Sequence, residues 1–159
     1  IKDSVALPCD KTGTSRKTLG EVSMRKELLA SAAAFFPVSA IQLWQVVTNN
    51  EDTAWRSDLI KVEIKPDGSW VEYTKDGCTQ FTICCWQPME RYGLTMENKH
   101  FSGMWEGCLQ ERADGTQWNM TEIIYVKSPF LAFIARHFWP LEKIQQQYLA
   151  DLSQKLLAN

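Results

Sequence analysis

Two carboxylates sit among apolar residues at strand-like spacing. Glu122 shares a two-residue period with Trp118, Met120 and Ile124. A carboxylate on such a face is costly to bury unless it is paired or hydrogen-bonded. Desolvation raises its pKa, which suits it to act as a general acid or base or to meet a ligand's polar head. The plain alternative is structural, with Glu122 pairing with Arg56 or accepting a tryptophan N–H. Glu72 shares a face with Trp70 if its strand is regular, although Val71 and Tyr73 compete for that face. Two carboxylates facing one cavity would repel, pushing one toward neutrality. Arg56, next to Trp55, is a cation for the mouth of such a site or an ion-pair partner for Glu72, Glu122 or Asp58.

Other chemistries find little support. His137 and His100 are the only histidines, far apart in the chain, which leaves a Ser-His-Asp triad or a zinc site without ligands. His137 falls on a helical stripe expected to face a sheet, where it reads as a core residue or a site residue. No glycine-rich phosphate loop is present. Cys9, Cys78, Cys84, Cys85 and Cys108 show no CxxC spacing, and their odd number fits reduced thiols acting as small buried hydrophobes. No metal and no cofactor are expected.

Composition sets the frame for these residues. The 159 residues suit one domain, and 45% apolar with 23% charged residues is ordinary for a globular chain. A net charge of −2 without a basic block argues against a nucleic-acid partner. The longest apolar stretch, Ala32 to Val38, is too short for stable membrane insertion. A cytoplasmic monomer or homodimer is the expectation, with an upstream leader left open because the chain starts at Ile1. Seven tryptophans can fill a core or line a pocket.

The elements that must position these residues follow from periodicity. Residues 1–27 have no period and read as an irregular arm, followed by a single domain over residues 28–159. Glu27 to Phe36 reads as a strand ending before Pro37. Ser39 and Gln42 form a capping-box pair for a helix to Thr48. A second short helix is expected over Asp52 to Ser57. From Val62 the period is two, and six strands alternate with turns such as Pro66-Asp67-Gly68, Lys75-Asp76-Gly77 and Ala113-Asp114-Gly115. Tyr92, Leu94 and Met96 share one face, as do Phe101, Gly103, Trp105, Gly107 and Leu109. Ser128 and Pro129 open a long C-terminal helix that Pro140 kinks. Phe130, Phe133, Ile134, His137 and Phe138 form its first apolar stripe; Leu141, Ile144, Tyr148, Leu152 and Leu156 continue it.

This order predicts an α+β fold: a curved antiparallel seven-stranded sheet around the C-terminal helix, with a cavity between them. Several short motifs resemble the START-related SRPBCC superfamily, in its polyketide cyclase/dehydrase-like branch, across about residues 30–157. They are Trp55-Arg56-Ser57-Asp58-Leu59 with Val62-Glu63, Trp70-Val71-Glu72, Phe101-Ser102-Gly103-Met104-Trp105, Gly115-Thr116 leading to Thr121-Glu122, and Pro129-Phe130. The resemblance implies the helix-grip fold, and a face of Trp70 and Glu72 turned inward. It implies binding of a hydrophobic or amphipathic small molecule, lipid- or polyketide-like, or a cyclase or dehydratase using Glu122 or Glu72. A third expectation is a partner-binding module whose cavity its tryptophans fill. The expected ligand-lining set is Trp55, Arg56, Trp70, Glu72, Trp105, Trp118, Met120, Glu122, Phe130, Phe133 and His137. Trp118 departs from the smaller residue usual in that family and is expected to narrow the pocket.

Overall fold

The computed structural model describes residues 27–158; residues 1–26 of the expected arm, Cys9 among them, lie outside them. The strand expected over Glu27 to Phe36 forms with those bounds. The order is β1 (Glu27–Phe36), α1 (Ala40–Val47), β2 (Lys61–Ile64), β3 (Trp70–Thr74), β4 (Gly77–Gln87), β5 (Arg91–Glu97), β6 (Phe101–Arg112), β7 (Gly115–Val126), α2 (Pro129–Phe138) and α3 (Leu141–Leu157). The seven strands form one antiparallel sheet in the order β1-β7-β6-β5-β4-β3-β2. The first and second strands are thus its two edges, and everything between β2 and β7 is a meander.

β1 shows why sheet pairing overrides local preference. Its alanines favour helix in isolation, yet all ten of its residues pair with β7, from Glu27 opposite Tyr125 to Phe36 opposite Thr116. Ala30 is buried and Ala32 and Ala34 are half-buried. Small side chains there let α3 approach closely enough for Gln145 Nε2 to donate to the Ala30 carbonyl at 3.3 Å. β4 bends where its register with β5 shifts between Ile83 and Cys85. Such a bulge increases local twist and helps the sheet curl.

α1 starts as the sequence predicts. The Ser39 side chain accepts from Gln42 N, and the Gln42 side chain accepts from Ser39 N, satisfying two otherwise orphan donors. The expected second helix over Asp52 to Ser57 does not form. Asn49 Oδ1 instead accepts from Glu51 N and Asp52 N. That side chain offers the backbone turn geometry in place of helical bonds. The segment is then tied down by α3, whose buried Asp151 accepts from Ser57 N at 2.8 Å and Ser57 Oγ at 2.7 Å.

The core has two clusters. One packs α1 and α3 onto the sheet through Leu43, Trp44, Trp70, Tyr92, Trp118 and Leu152. The other joins Ala30, Met96, Ile124, Val126, Ala132 and Leu141 near the α2–α3 junction. Phe81 and Trp105 pack against both.

α2 and α3 do not share one stripe. The break at Trp139 and Pro140 resets the helical phase, because proline cannot continue the ladder. α2 turns Ala132 to the sheet and leaves Phe130, Phe133, Ile134 and Phe138 exposed. α3 buries Leu141, Gln145, Leu149, Asp151 and Leu152, so its inward stripe is displaced from the expected one and Ile144 is exposed. Of the four described cysteines, Cys78 is exposed and Cys84, Cys85 and Cys108 are half-buried, so none is as deeply buried as several were expected to be.

Candidate functional site

A cavity of about 120 Å³ lies between the sheet and α3, where the two core clusters meet. Trp70 and Glu72 reach it from β3, Phe81 from β4, Trp105 from β6, and Met120 and Glu122 from β7. Gln145 and Tyr148 close it from α3, and Arg56 and Asp58 from the turn segment after α1. Strand alternation explains the placement: Tyr92, Leu94 and Met96 are all buried on the inner face of β5, as their spacing predicts.

Arg56, Asp58 and Glu72 form one ion-paired cluster. Arg56 engages Asp58 through Nε at 3.1 Å and Nη2 at 2.7 Å, a two-point fork. Its Nη1 donates to Glu72 Oε1 at 2.9 Å, and Trp70 Nε1 donates to the same oxygen at 3.3 Å. Burial alone would lower the Arg56 pKa, but Glu72 and Asp58 more than compensate and hold it raised. Arg56 also lies 5.5 Å from the centre of the Tyr148 ring. This geometry realises the ion-pair alternative for Arg56, with Glu72 and Asp58 as its partners.

Glu122 stands apart from this cluster. Burial pushes its carboxyl up to about 7; the Gln145 side chain and the Arg56 charge pull it only partway back. The expected repulsion from Glu72 is therefore not what raises it; desolvation is. Beside it, Gln145 is 1% exposed and its Oε1 has no hydrogen-bond partner. Tyr92 is equally buried; burial lifts its hydroxyl to about 12, and the Asn50 side chain pulls it only partway back. Gln145 lines the cavity and carries a buried oxygen without a partner among the described residues, a pattern that native interiors otherwise avoid.

Of the residues expected to line a ligand site, the fold gathers Arg56, Trp70, Glu72, Trp105, Met120 and Glu122. The other five lie elsewhere. Trp118 is wholly buried behind the cavity, its ring 5.9 Å from that of Trp105. A Cβ on Gly107 would come within 2.6 Å of Trp118 Cζ2 and 2.9 Å of Trp105 Cη2, so glycine at 107 is what lets both indoles fit. Trp55 packs edge-on against the outer side of Tyr148 and lines a separate polar groove between α1 and the end of α3. Phe130 and Phe133 are 71% and 55% exposed, and His137 is exposed with Nδ1 2.9 Å from the Phe133 carbonyl. These three were placed inward by assuming one continuous helical stripe, which the break at Pro140 rules out.

Sequence reasoning missed Tyr92 as a polar group, and it missed Gln145 and Asp151 altogether. A glutamine at helical spacing from Leu141, Leu149 and Leu152 was the available signal for an inward polar residue. Asp151 acts indirectly: by holding Ser57 it fixes the segment that carries Arg56. Among the described residues, no group of three or more His, Cys, Asp or Glu side chains is placed to hold a metal ion. None of the described helices is long and apolar enough to cross a membrane.

A curved seven-stranded antiparallel sheet closing on a C-terminal helix, with a cavity between, defines the helix-grip fold of the START-related SRPBCC proteins. The chain superposes with a TM-score of 0.70 on the di-domain aromatase/cyclase BexL from the BE-7585A biosynthetic pathway, at 14% identity over 85% of this chain and 52% of that one. A norcoclaurine synthase point mutant from Thalictrum flavum, in complex with a transition-state analogue, gives 0.67 at 10% identity over 83% and 95%. A START superfamily protein from Mycobacterium smegmatis gives 0.59 at 13% identity over 80% and 96%. No family model matches the sequence. No curated protein matches it either.

Proposed function

We propose that the protein binds a small amphipathic molecule in the cavity between the sheet and α3. The observation that carries this reading is a cavity walled by Trp70, Phe81, Trp105 and Tyr148 yet lined also by Glu122 and by Gln145, whose Oε1 has no partner among the described residues. A mainly apolar wall with a few convergent polar groups is the usual make-up of a ligand site. The volume of about 120 Å³ narrows the lipid- or polyketide-like expectation, since pockets for drug-sized ligands run to roughly 300–1,000 Å³. A single small ring is about the limit of that volume, as benzene is held by a cavity of about 150 Å³. The remaining space also speaks against a cavity filled outright by tryptophans.

Intrinsic fluorescence tests this directly, because Trp70 and Trp105 line the space. Titration with toluene should shift their emission saturably, and Met120→Trp should abolish the shift by filling the cavity. A wild-type protein whose emission and melting temperature ignore toluene would sink the reading.

A second reading, general acid–base catalysis on a bound substrate, is favoured by one observation: the Glu122 carboxyl held up to about 7. A group poised near neutrality can both give and take a proton. A screen of ring-bearing carbonyl compounds for cyclisation or dehydration tests it. Turnover lost in Glu122→Gln, with binding retained, supports a proton-transfer role; turnover unchanged in that variant removes it.

A further inference from the structure

We propose that the cavity selects a small ring-bearing amine, whose N–H groups donate to Gln145 Oε1 and to the Glu122 carboxylate. This rests on the binding reading above and names the chemical class of its ligand. The first support is the charge inventory. Among the described residues, Arg56 is the only cation lining the cavity, against the carboxylates of Asp58, Glu72 and Glu122. That cation is already committed, with Nε and Nη2 on Asp58 and Nη1 on Glu72. An entering carboxylate would meet no uncommitted positive charge from the described lining residues; it would face an Arg56–Asp58–Glu72 cluster with one more anion than cation, and the Glu122 carboxyl. Burying an unpaired anion in such a place is strongly unfavourable. An ammonium meets the opposite field.

The second support is independent of charge. Gln145 Nε2 is held by the Ala30 carbonyl, which leaves Oε1 as a buried acceptor with no donor. An acceptor asks its ligand for an N–H or O–H. An amine offers more than one N–H, enough for Gln145 and Glu122 together. The third support is the wall. The rings of Trp105 and Tyr148 lie 6.3 Å apart at the cavity, and Arg56 shows that a cation already rests over the Tyr148 ring. Aromatic faces attract ammonium groups as well as rings. Finally, the small volume favours a single small ring over an alkyl chain. The raised Glu122 pKa agrees with an acid awaiting a cation, because an adjacent ammonium favours the ionised form.

The test is calorimetry on the full chain with four ring compounds of matched size: benzylamine, benzyl alcohol, toluene and benzoate. Benzylamine should bind tightest, by about tenfold over toluene and benzyl alcohol, the size of one charge-assisted hydrogen bond. Benzoate should bind at least about a hundredfold more weakly than benzylamine, as two such terms reverse. In Gln145→Leu and Glu122→Gln, the ratio of benzylamine to toluene affinity should collapse toward one. Toluene binding in these variants also reports that they fold. Benzoate equalling benzylamine, or toluene equalling it, overturns the amine assignment while leaving the cavity reading intact. Binding of none of the four overturns the cavity reading itself. A benzylamine preference that survives both variants overturns the assignment to Gln145 and Glu122.

Discussion

The two segments of the C-terminal helix invert the usual relation between sequence and burial. α2 reads Phe130, Phe133, Ile134 and Phe138 along one face, yet that face is exposed and only Ala132 is buried. α3 is far more polar, yet it buries five residues, and two of them are Gln145 and Asp151. The polar residues inside α3 are the ones that matter for the site. Gln145 borders the cavity with an unpartnered oxygen, and Asp151 anchors the segment that delivers Arg56. The apolar residues outside α2 touch no part of the cavity. Hydrophobicity decides that a helix has two faces; position in the fold decides which face is used.

The sharpest way to break this contrast is to delete an apolar side chain from the inward stripe of α3. Leu152 is fully buried beside the cavity-bearing core cluster. Leu152→Ala should cost about 2–5 kcal/mol, measured by urea unfolding. A loss as small as that of a surface change would mean that α3 does not grip the sheet as described.

The next effect belongs to the site. Burial raises Glu122 from an ordinary 4.5 to about 7, so the folded protein holds this proton more tightly than the unfolded chain does. The stability from that proton is fully present below the unfolded value and is lost as pH rises through the folded one. At 1.36 kcal/mol per unit, the loss is on the order of 3 kcal/mol across that window. Glu122→Gln stays neutral and should lack this slope. Urea midpoints taken from about pH 4 to pH 8 should therefore move in favour of the variant relative to wild type. A gap that stays constant with pH would show that Glu122 ionises as it does in water.

Asp151 has the opposite sign. Burial works to raise its pKa, but hydrogen bonds from Ser57 and Gln147 outweigh that and hold it lowered. Its contribution is present above the ordinary carboxylate range and is lost as pH falls through the lowered value. Asp151→Ala should cost about 1–3 kcal/mol near neutrality, because it leaves the Ser57 donors without their acceptor. Since Ser57 neighbours Arg56, the same variant should also weaken benzylamine binding. A variant that loses stability but keeps full binding would show that Arg56 holds its place without this anchor.

The sheet was legible because alternation with period two needs no knowledge of the rest of the fold. Tyr92, Leu94 and Met96 face inward as their spacing requires, and Glu122 was conspicuous because its neighbours on that face are apolar. The failures share a cause. The turn at Asp52 to Ser57 depends on Asn49 capturing two backbone N–H groups, a choice no periodicity reports. The aromatics of α2 were placed inward by carrying the phase of one helix through Pro140. Gln145 and Asp151 are polar residues on a helix, which composition assigns to solvent; only the approach of α3 to the alanines of β1 and to Ser57 buries them. What sequence conceals here is not which residues are apolar but where two elements come closest.

The smallest expected effect is the most direct test of the contrast. If the outward face of α2 contributes no packing, replacing its aromatics should hardly alter stability. Phe130 and Phe133 are 71% and 55% exposed, so Phe130→Ser and Phe133→Ser should each stay within about 0.5 kcal/mol of wild type. Serine and phenylalanine have similar helix propensities, so that factor adds little. Ala132→Ser, on the buried face of the same helix, provides the paired control. Ala132 is 2% exposed, and a hydroxyl there without a partner should cost about 1–3 kcal/mol. The volume added is less than a methylene pair, so the cost reports burial of a polar group rather than crowding. The two outcomes together fix the orientation of α2. A large loss in Phe133→Ser with a silent Ala132→Ser would turn the helix by half a revolution and bring the aromatic face back onto the sheet.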